Sequence, residues 1–192
     1  QTSNNNHGTM RIRLADFVID FLYKKNINKI FTVSGGGSIY LCDDLYKSKN
    51  VEYISCHHEQ AASFAAESYA RQSNSVGGAI VTTGPGGTNS LTGTASAWID
   101  SVPVFFVSGQ VFLNQTIGKT GVRQLGVQEI DIISLVKPIT KYSVMIEKPN
   151  EILYHLEKAY DLCNSGRPGP VWIDIPANIQ NTIIDDKNLI QY

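Results

Sequence analysis

Five short apolar runs, each ended by a turn and followed by a helical pattern, constrain this chain more than any other feature. They are Ile30-Phe31-Thr32-Val33, Val51-Glu52-Tyr53-Ile54, Gly78-Ala79-Ile80-Val81-Thr82, Val104-Phe105-Phe106-Val107 and Val171-Trp172-Ile173-Asp174-Ile175. Short, β-branched and mostly continuous rather than alternating, they read as strands buried on both faces. Between them apolar residues recur at helical spacing. Leu14, Phe17, Val18, Phe21 and Leu22 predict a helix over about 11–25, and Ile39, Leu41, Leu45 and Tyr46 predict another. Further helices are expected over about 58–72, 87–99 and 128–135, and through Ile152, Leu153, Leu156, Ala159, Tyr160 and Cys163. Pro138 breaks the pattern ahead of a short strand, Tyr142-Ser143-Val144-Met145. Strands alternating with helices predict βαβ units with right-handed crossovers: a three-layer α/β/α fold around a mainly parallel sheet.

A chain of 192 residues with 42% hydrophobic and 17% charged residues has the length and composition of one globular domain. Its formal net charge is −1 and its lysines and arginines are scattered, which argues against a nucleic-acid-binding face. Cys42, Cys56 and Cys163 form no CxxC pair, so they read as buried or incidental thiols of a cytoplasmic protein. No apolar run approaches the roughly 18 residues of a membrane span. Residues 1–9 are expected to be a tag remnant or disordered, with a native start at Met10. The domain is expected to fill 10–176, and the polar tail 177–192 reads as a linker leading away from it. Ser108 to Gly126 shows no clear period and is expected to be a long loop of the kind that carries function.

Three backbone-rich or charged features follow strand ends, where ligands of open α/β sheets gather. Glu59, in His57-His58-Glu59-Gln60, opens an Ala-rich helix and shares a face with Ala62, Ser63, Ala66 and Ala70. It reads either as a partly desolvated carboxylate suited to proton exchange or as an acid favoured by the helix dipole. The turn Thr83-Gly84-Pro85-Gly86-Gly87-Thr88-Asn89 exposes backbone N–H groups at a helix start. A phosphate cradle and a bare strand-to-helix turn both fit it. The third feature is Gly35-Gly36-Gly37. Asn89 reads as a cap or a ligand contact. Ser90, Gly93, Thr94 and Ala97 form a small-residue stripe for close helix contact, conceivably across a dimer. His57 and His58 lack further ligands at metal-binding spacing, so no metal site is expected on these residues. Asp43, Asp44, Asp185 and Asp186 read as solvated surface pairs, and Trp98 and Trp172 as core.

These motifs in this order resemble the N-terminal, pyrimidine-binding domain of thiamine diphosphate enzymes, most of all acetolactate synthase and its relatives. The residues that carry the resemblance are Gly35-Gly36, His58-Glu59-Gln60, Ala66-Glu67-Ser68-Tyr69-Ala70-Arg71 and Thr83 to Asn89. Asp100-Ser101-Val102-Pro103, Gly109-Gln110, Gln128-Glu129, Ile139-Thr140-Lys141 and Ser165 to Val171 extend it over about 11–180. The resemblance implies that Glu59 hydrogen-bonds N1′ of the aminopyrimidine and promotes the tautomer that activates the thiazolium C2. The resulting ylid decarboxylates a 2-keto acid, and the enamine passes to an acceptor. It further implies that Thr82, Pro85, Gly86 and Asn89 line the pyrimidine site. Gly35 and Gly36 would approach the reacting centre, and Gln128 would lie near substrate.

The same resemblance implies a homodimer or homotetramer, with Mg²⁺ and the diphosphate bound through a second domain that begins Gly-Asp-Gly. No Gly-Asp-Gly occurs here. The chain is therefore expected to be the pyrimidine half alone, inactive by itself, as an excised domain or as a subunit of a split 2-keto acid decarboxylase. It departs from the synthase pattern at Ser34, where proline is usual, at Val127, where an aromatic is usual, and in a longer loop holding Lys119 and Arg123. The keto acid, the acceptor and the presence of FAD are left open. A non-catalytic α/β binding module is the alternative of another class. A Rossmann nucleotide domain lacks its GxGxxG.

Overall fold

The computed structural model describes residues 11–192, so the expectations for residues 1–9 and for a start at Met10 lie outside the described residues. The first elements are β1 (Arg11–Arg13), α1 (Leu14–Lys24), β2 (Lys29–Thr32), α2 (Ile39–Lys47), β3 (Glu52–Ser55) and α3 (Glu59–Ser73). Next come β4 (Gly77–Val81), α4 (Pro85–Asn89), α5 (Leu91–Ile99), β5 (Val104–Gln110), α6 (Ile132–Val136) and β6 (Tyr142–Met145). The chain ends with α7 (Ile152–Asn164), β7 (Val171–Pro176), α8 (Ala177–Gln180) and β8 (Ile183–Asp185).

Six strands form one sheet in the order β3-β2-β4-β5-β7-β6, and every neighbouring pair in it is parallel. Apolar residues of α1, α2, α7 and α8 cover one face, packed on Ile30, Ile80, Phe105, Val107 and Ile173. Those of α3, α5 and α6 cover the other, packed on Phe31, Ala79, Val81, Phe106 and Trp172. The expected three layers are present, and burial on both faces explains the largely apolar runs of β4, β5 and β7.

The structure corrects several boundaries. The predicted helix over 11–25 begins only at Leu14, because Arg11–Arg13 pairs antiparallel with Ile183–Asp185. The predicted helix over 87–99 is two helices that break at Ser90, whose hydroxyl donates to the Gly86 carbonyl. The helix expected over 128–135 starts at Ile132, since Gln128 has φ +60 and the Asp131 side chain caps the new start. The tail read as a linker is packed on the domain through at least β8. Gln180 is fully buried, and its amide donates to the carbonyls of Gly37 (2.6 Å) and Ile175 (2.7 Å). Trp98, expected in the core, is 40% exposed. Asp44, expected at the surface, is buried and takes the Arg13 guanidinium, which also reaches Asp43.

A buried polar cluster lies within the central strands. Asp174 is buried, accepts the Ser108 hydroxyl at 2.6 Å and the Gln110 amide at 3.1 Å, and so ties β5 to β7. The Trp172 indole donates to the same Ser108 oxygen at 2.8 Å. Burial pushes the Asp174 carboxyl up to about 7, against an ordinary 3.8, and the two hydrogen bonds only partly oppose it. Between those values the native state holds a proton that the unfolded chain has released. The stability Asp174 contributes is therefore complete at low pH and is lost as pH rises toward 7. Urea unfolding of wild type and Asp174→Asn at a series of pH values is expected to show their difference falling through that window and levelling above it. A flat difference would mean that the carboxyl does not titrate there.

Candidate active site

The site forms where β2, β3, β4 and β5 end on the same edge of the sheet. Glu59 is the first residue of α3. His58 caps that helix, its Nδ1 accepting the Gln60 N–H at 3.1 Å, so this histidine has a structural task. Glu59 is 9% exposed, and Ala62, Ser63, Ala66 and Ala70 behind it are all buried. The small face lets neighbours come close. A Cβ on Gly93 of α5 would lie 2.1 Å from Ser63 Oγ. The stripe Ser90, Gly93, Thr94 and Ala97 is thus consumed within the chain against α3, not across a dimer.

That packing brings Asn89, at the end of α4, to Glu59. The Asn89 amide donates to Glu59 Oε2 at 2.9 Å. The other oxygen, Oε1, lies toward Gly86, where an added Cβ would sit 3.7 Å from it and 2.7 Å from Thr82 Cγ2. Thr82 is the wedge between two turns. Its Oγ1 accepts the Gly37 N–H at 3.1 Å, and a Cβ on Gly35 would fall 2.4 Å from its methyl group. Next to it, the Thr83 hydroxyl donates to the Gly109 carbonyl at 3.2 Å. Glu59 and Asn89 are thus hydrogen-bonded, and Gly35 and Gly86 pack closely beside Thr82.

Other expected residues sit at the rim. Gly36 and Pro85 are exposed. A Cβ on Gly36 would meet nothing within 4 Å. Gln128 is exposed, and its backbone reaches the site: its carbonyl lies against Gly84, where a Cβ would fall 1.9 Å away. Gly84 has φ +62, and α4 after it has only five residues. The Gly86 and Thr88 N–H groups are spent on the Thr83 and Gly84 carbonyls, which weakens the phosphate-cradle reading of this turn. Among the described residues no group of three or more His, Cys, Asp or Glu side chains is placed to hold a metal ion.

The sequence reading assigns no role to Glu129, Asp174 and Gln180, all of them buried. Glu129 and Asp174 line a cavity of about 360 Å³ beside the end of β5, together with Gln110, Ile117 and Met145. A polar residue in an otherwise apolar run, as in Val171-Trp172-Ile173-Asp174-Ile175, was the one available signal.

Residues 12–135 match the family described as "Thiamine pyrophosphate enzyme, N-terminal TPP binding domain". Similar relatives include an acetolactate synthase from Arthrospira platensis, 38% identical over 178 residues, covering 91% of this chain and 30% of that protein. The probable acetolactate synthase large subunit of Methanocaldococcus jannaschii is 41% identical over 171 residues, covering 89% and 28%. The acetolactate synthase large subunit of Haemophilus influenzae is 37% identical over 167 residues, covering 87% and 28%. The chain thus spans under a third of the length of these curated relatives.

Gly84→Ala is expected to lower unfolding free energy by about 1–3 kcal/mol from its positive φ alone, with more from the collision with Gln128. Urea unfolding measures it. A loss under a few tenths would mean that the turn relaxes freely.

Proposed function

The chain belongs to the thiamine pyrophosphate enzymes, matching their N-terminal TPP binding domain, and from that premise we propose that it is the pyrimidine half of the active site of an acetolactate synthase-like carboligase. One observation carries the reading. A buried carboxylate at the head of α3 has one oxygen held by Asn89 and the other, turned toward Gly86, without a described partner. That open oxygen is the acceptor Glu59 would offer to a ring nitrogen of the aminopyrimidine.

When bound, thiamine diphosphate supplies the electron sink for decarboxylating a 2-keto acid and passing the remaining fragment to an acceptor. Glu59 holds or exchanges a proton at Oε1, while Asn89 fixes the carboxylate plane through Oε2. Small residues on α3 and α5 exclude water from behind it. Thr82 sets the gap between the 35–37 turn and Gly86. Gly35 and Gly36 leave room at the reacting centre, and the Gln128 side chain meets the keto acid at the rim.

The diphosphate and Mg²⁺ belong to a separate domain, contributed by another subunit of a homo-oligomeric, cytoplasmic enzyme. No helix among the described residues is long and apolar enough to cross a membrane.

In the full-length protein, Glu59→Gln is expected to slow exchange of the cofactor C2 proton by roughly 10²–10⁴-fold with an unchanged unfolding midpoint. Unchanged exchange would overturn the role of Glu59. Calorimetry on this chain alone is expected to show weak thiamine diphosphate binding indifferent to Mg²⁺. Tight, Mg²⁺-dependent binding would contradict the half-site.

A further inference from the structure

We propose that Glu129 is a positioning residue, a buried carboxylate that clasps both ends of the 117–125 segment and thereby holds Gln128 against the glycine turn of the site. This rests on the functional reading above, in which Gln128 faces the keto acid.

The segment has little else to hold it. Leu125, Val122 and Val127 are exposed, Val127 by 84%, so apolar burial does not anchor it. Gly118 and Gly121 have φ of +47 and +78, and its other bonds are local: Thr120 donates to the Ile117 carbonyl, the Val122 N–H to Thr120 Oγ1 and the Gln124 amide to the Gly126 carbonyl. Glu129, only 7% exposed, supplies the anchor. Its Oε1 accepts the Ile117 N–H at 2.5 Å and its Oε2 accepts the Leu125 N–H at 3.1 Å. Hydrogen bonds to a carboxylate are stronger than neutral ones, and a buried carboxylate left without donors is costly. Both sides therefore favour the clasp.

The clasp is fixed from below. The Glu129 N–H donates to the Gly126 carbonyl at 3.2 Å, and the Ile130 carbonyl accepts the Gln110 amide at 3.0 Å. Gln110 is itself bonded to Asp174 inside the sheet. Gln128 lies between these ties, with φ +60 and its carbonyl on Gly84. If Glu129 lets go, the 117–125 segment and the Gln128 side chain lose their placement. Glu59 and Asn89 sit on α3 and α4 and keep theirs.

Glu129→Ala and Glu129→Gln in the full-length protein test this. Gln retains one acceptor oxygen and the side-chain volume. Three readouts are needed: keto-acid KM and kcat, C2-proton exchange without keto acid, and amide hydrogen exchange across 117–125. Glu129→Ala is expected to raise KM about tenfold or more while C2 exchange stays within about twofold of wild type. Amides of the segment should exchange faster, with Glu129→Gln intermediate on each measure. Unchanged amide exchange would overturn the clasp. Unchanged KM with a loosened segment would overturn its role for Gln128. A parallel fall in C2 exchange would mean general damage to the site. Absence of C2 exchange in the wild-type enzyme would instead refute the functional reading, and the clasp itself would still be decided by amide exchange.

Discussion

The close approach of α3 to its neighbours is the constraint from which the site follows. A Cβ on Gly77 of β4 would lie 2.1 Å from the Ala66 carbonyl, and one on Gly93 of α5 equally near Ser63 Oγ. The backbones meet where side chains would normally keep them apart. Two helices seated this tightly leave their starts little freedom, so Glu59 and Asn89, thirty residues apart, meet at 2.9 Å. Interiors packed to this density do not deform continuously. A methyl group added at Gly93 or Gly77 would be felt at the carboxylate, although neither residue touches it.

The same packing explains what could be read from the sequence. Strands covered on both faces are mostly apolar along their length, so β4, β5 and β7 are legible in the sequence. The spacing around Glu59 fits a helix-dipole acid as well as a desolvated one, and only the neighbouring strand-end turns and the family resemblance single it out. The break between α4 and α5 was not legible, because it depends on where the Ser90 hydroxyl points. Nor was α6, whose start is delayed by the left-handed backbone at Gln128. Trp98 at helical spacing looks like core until β7 and the turn before it are placed. Asp44 looks like surface until Arg13, thirty-one residues earlier, is brought beside it. The breaks at Ser90 and Gln128 are local backbone choices that hydrophobic periodicity does not encode, and the Arg13–Asp44 contact is a long-range pairing.

The tail is the clearest such case. Residues 177–192 are polar with isolated apolar positions, a pattern that also describes a linker. They are docked by the pairing of β8 with β1 and by one buried side chain. Gln180 is fully buried and bonds the carbonyls of Gly37 and Ile175, and Leu14 donates its N–H to the Thr182 carbonyl beside it. Gln180 thereby joins the end of the chain to the 35–37 turn, which Thr82 joins to Gly86. The tail is a brace behind that turn.

Three buried carboxylates near this edge of the sheet show how surroundings assign tasks to one functional group. Asp174 lies among strands, receives a hydroxyl and an amide, and holds its proton near neutrality. Glu129 receives two backbone N–H groups and gathers a loop. Glu59 receives a single side-chain donor, which leaves one oxygen free of any described partner and turned toward a glycine. A carboxylate satisfied on both oxygens has its capacity taken up by the fold. One satisfied on a single oxygen keeps an acceptor for a ligand, at the cost of holding it poorly solvated until the ligand arrives. That asymmetry separates Glu59 from the other two more firmly than its position at a helix start does.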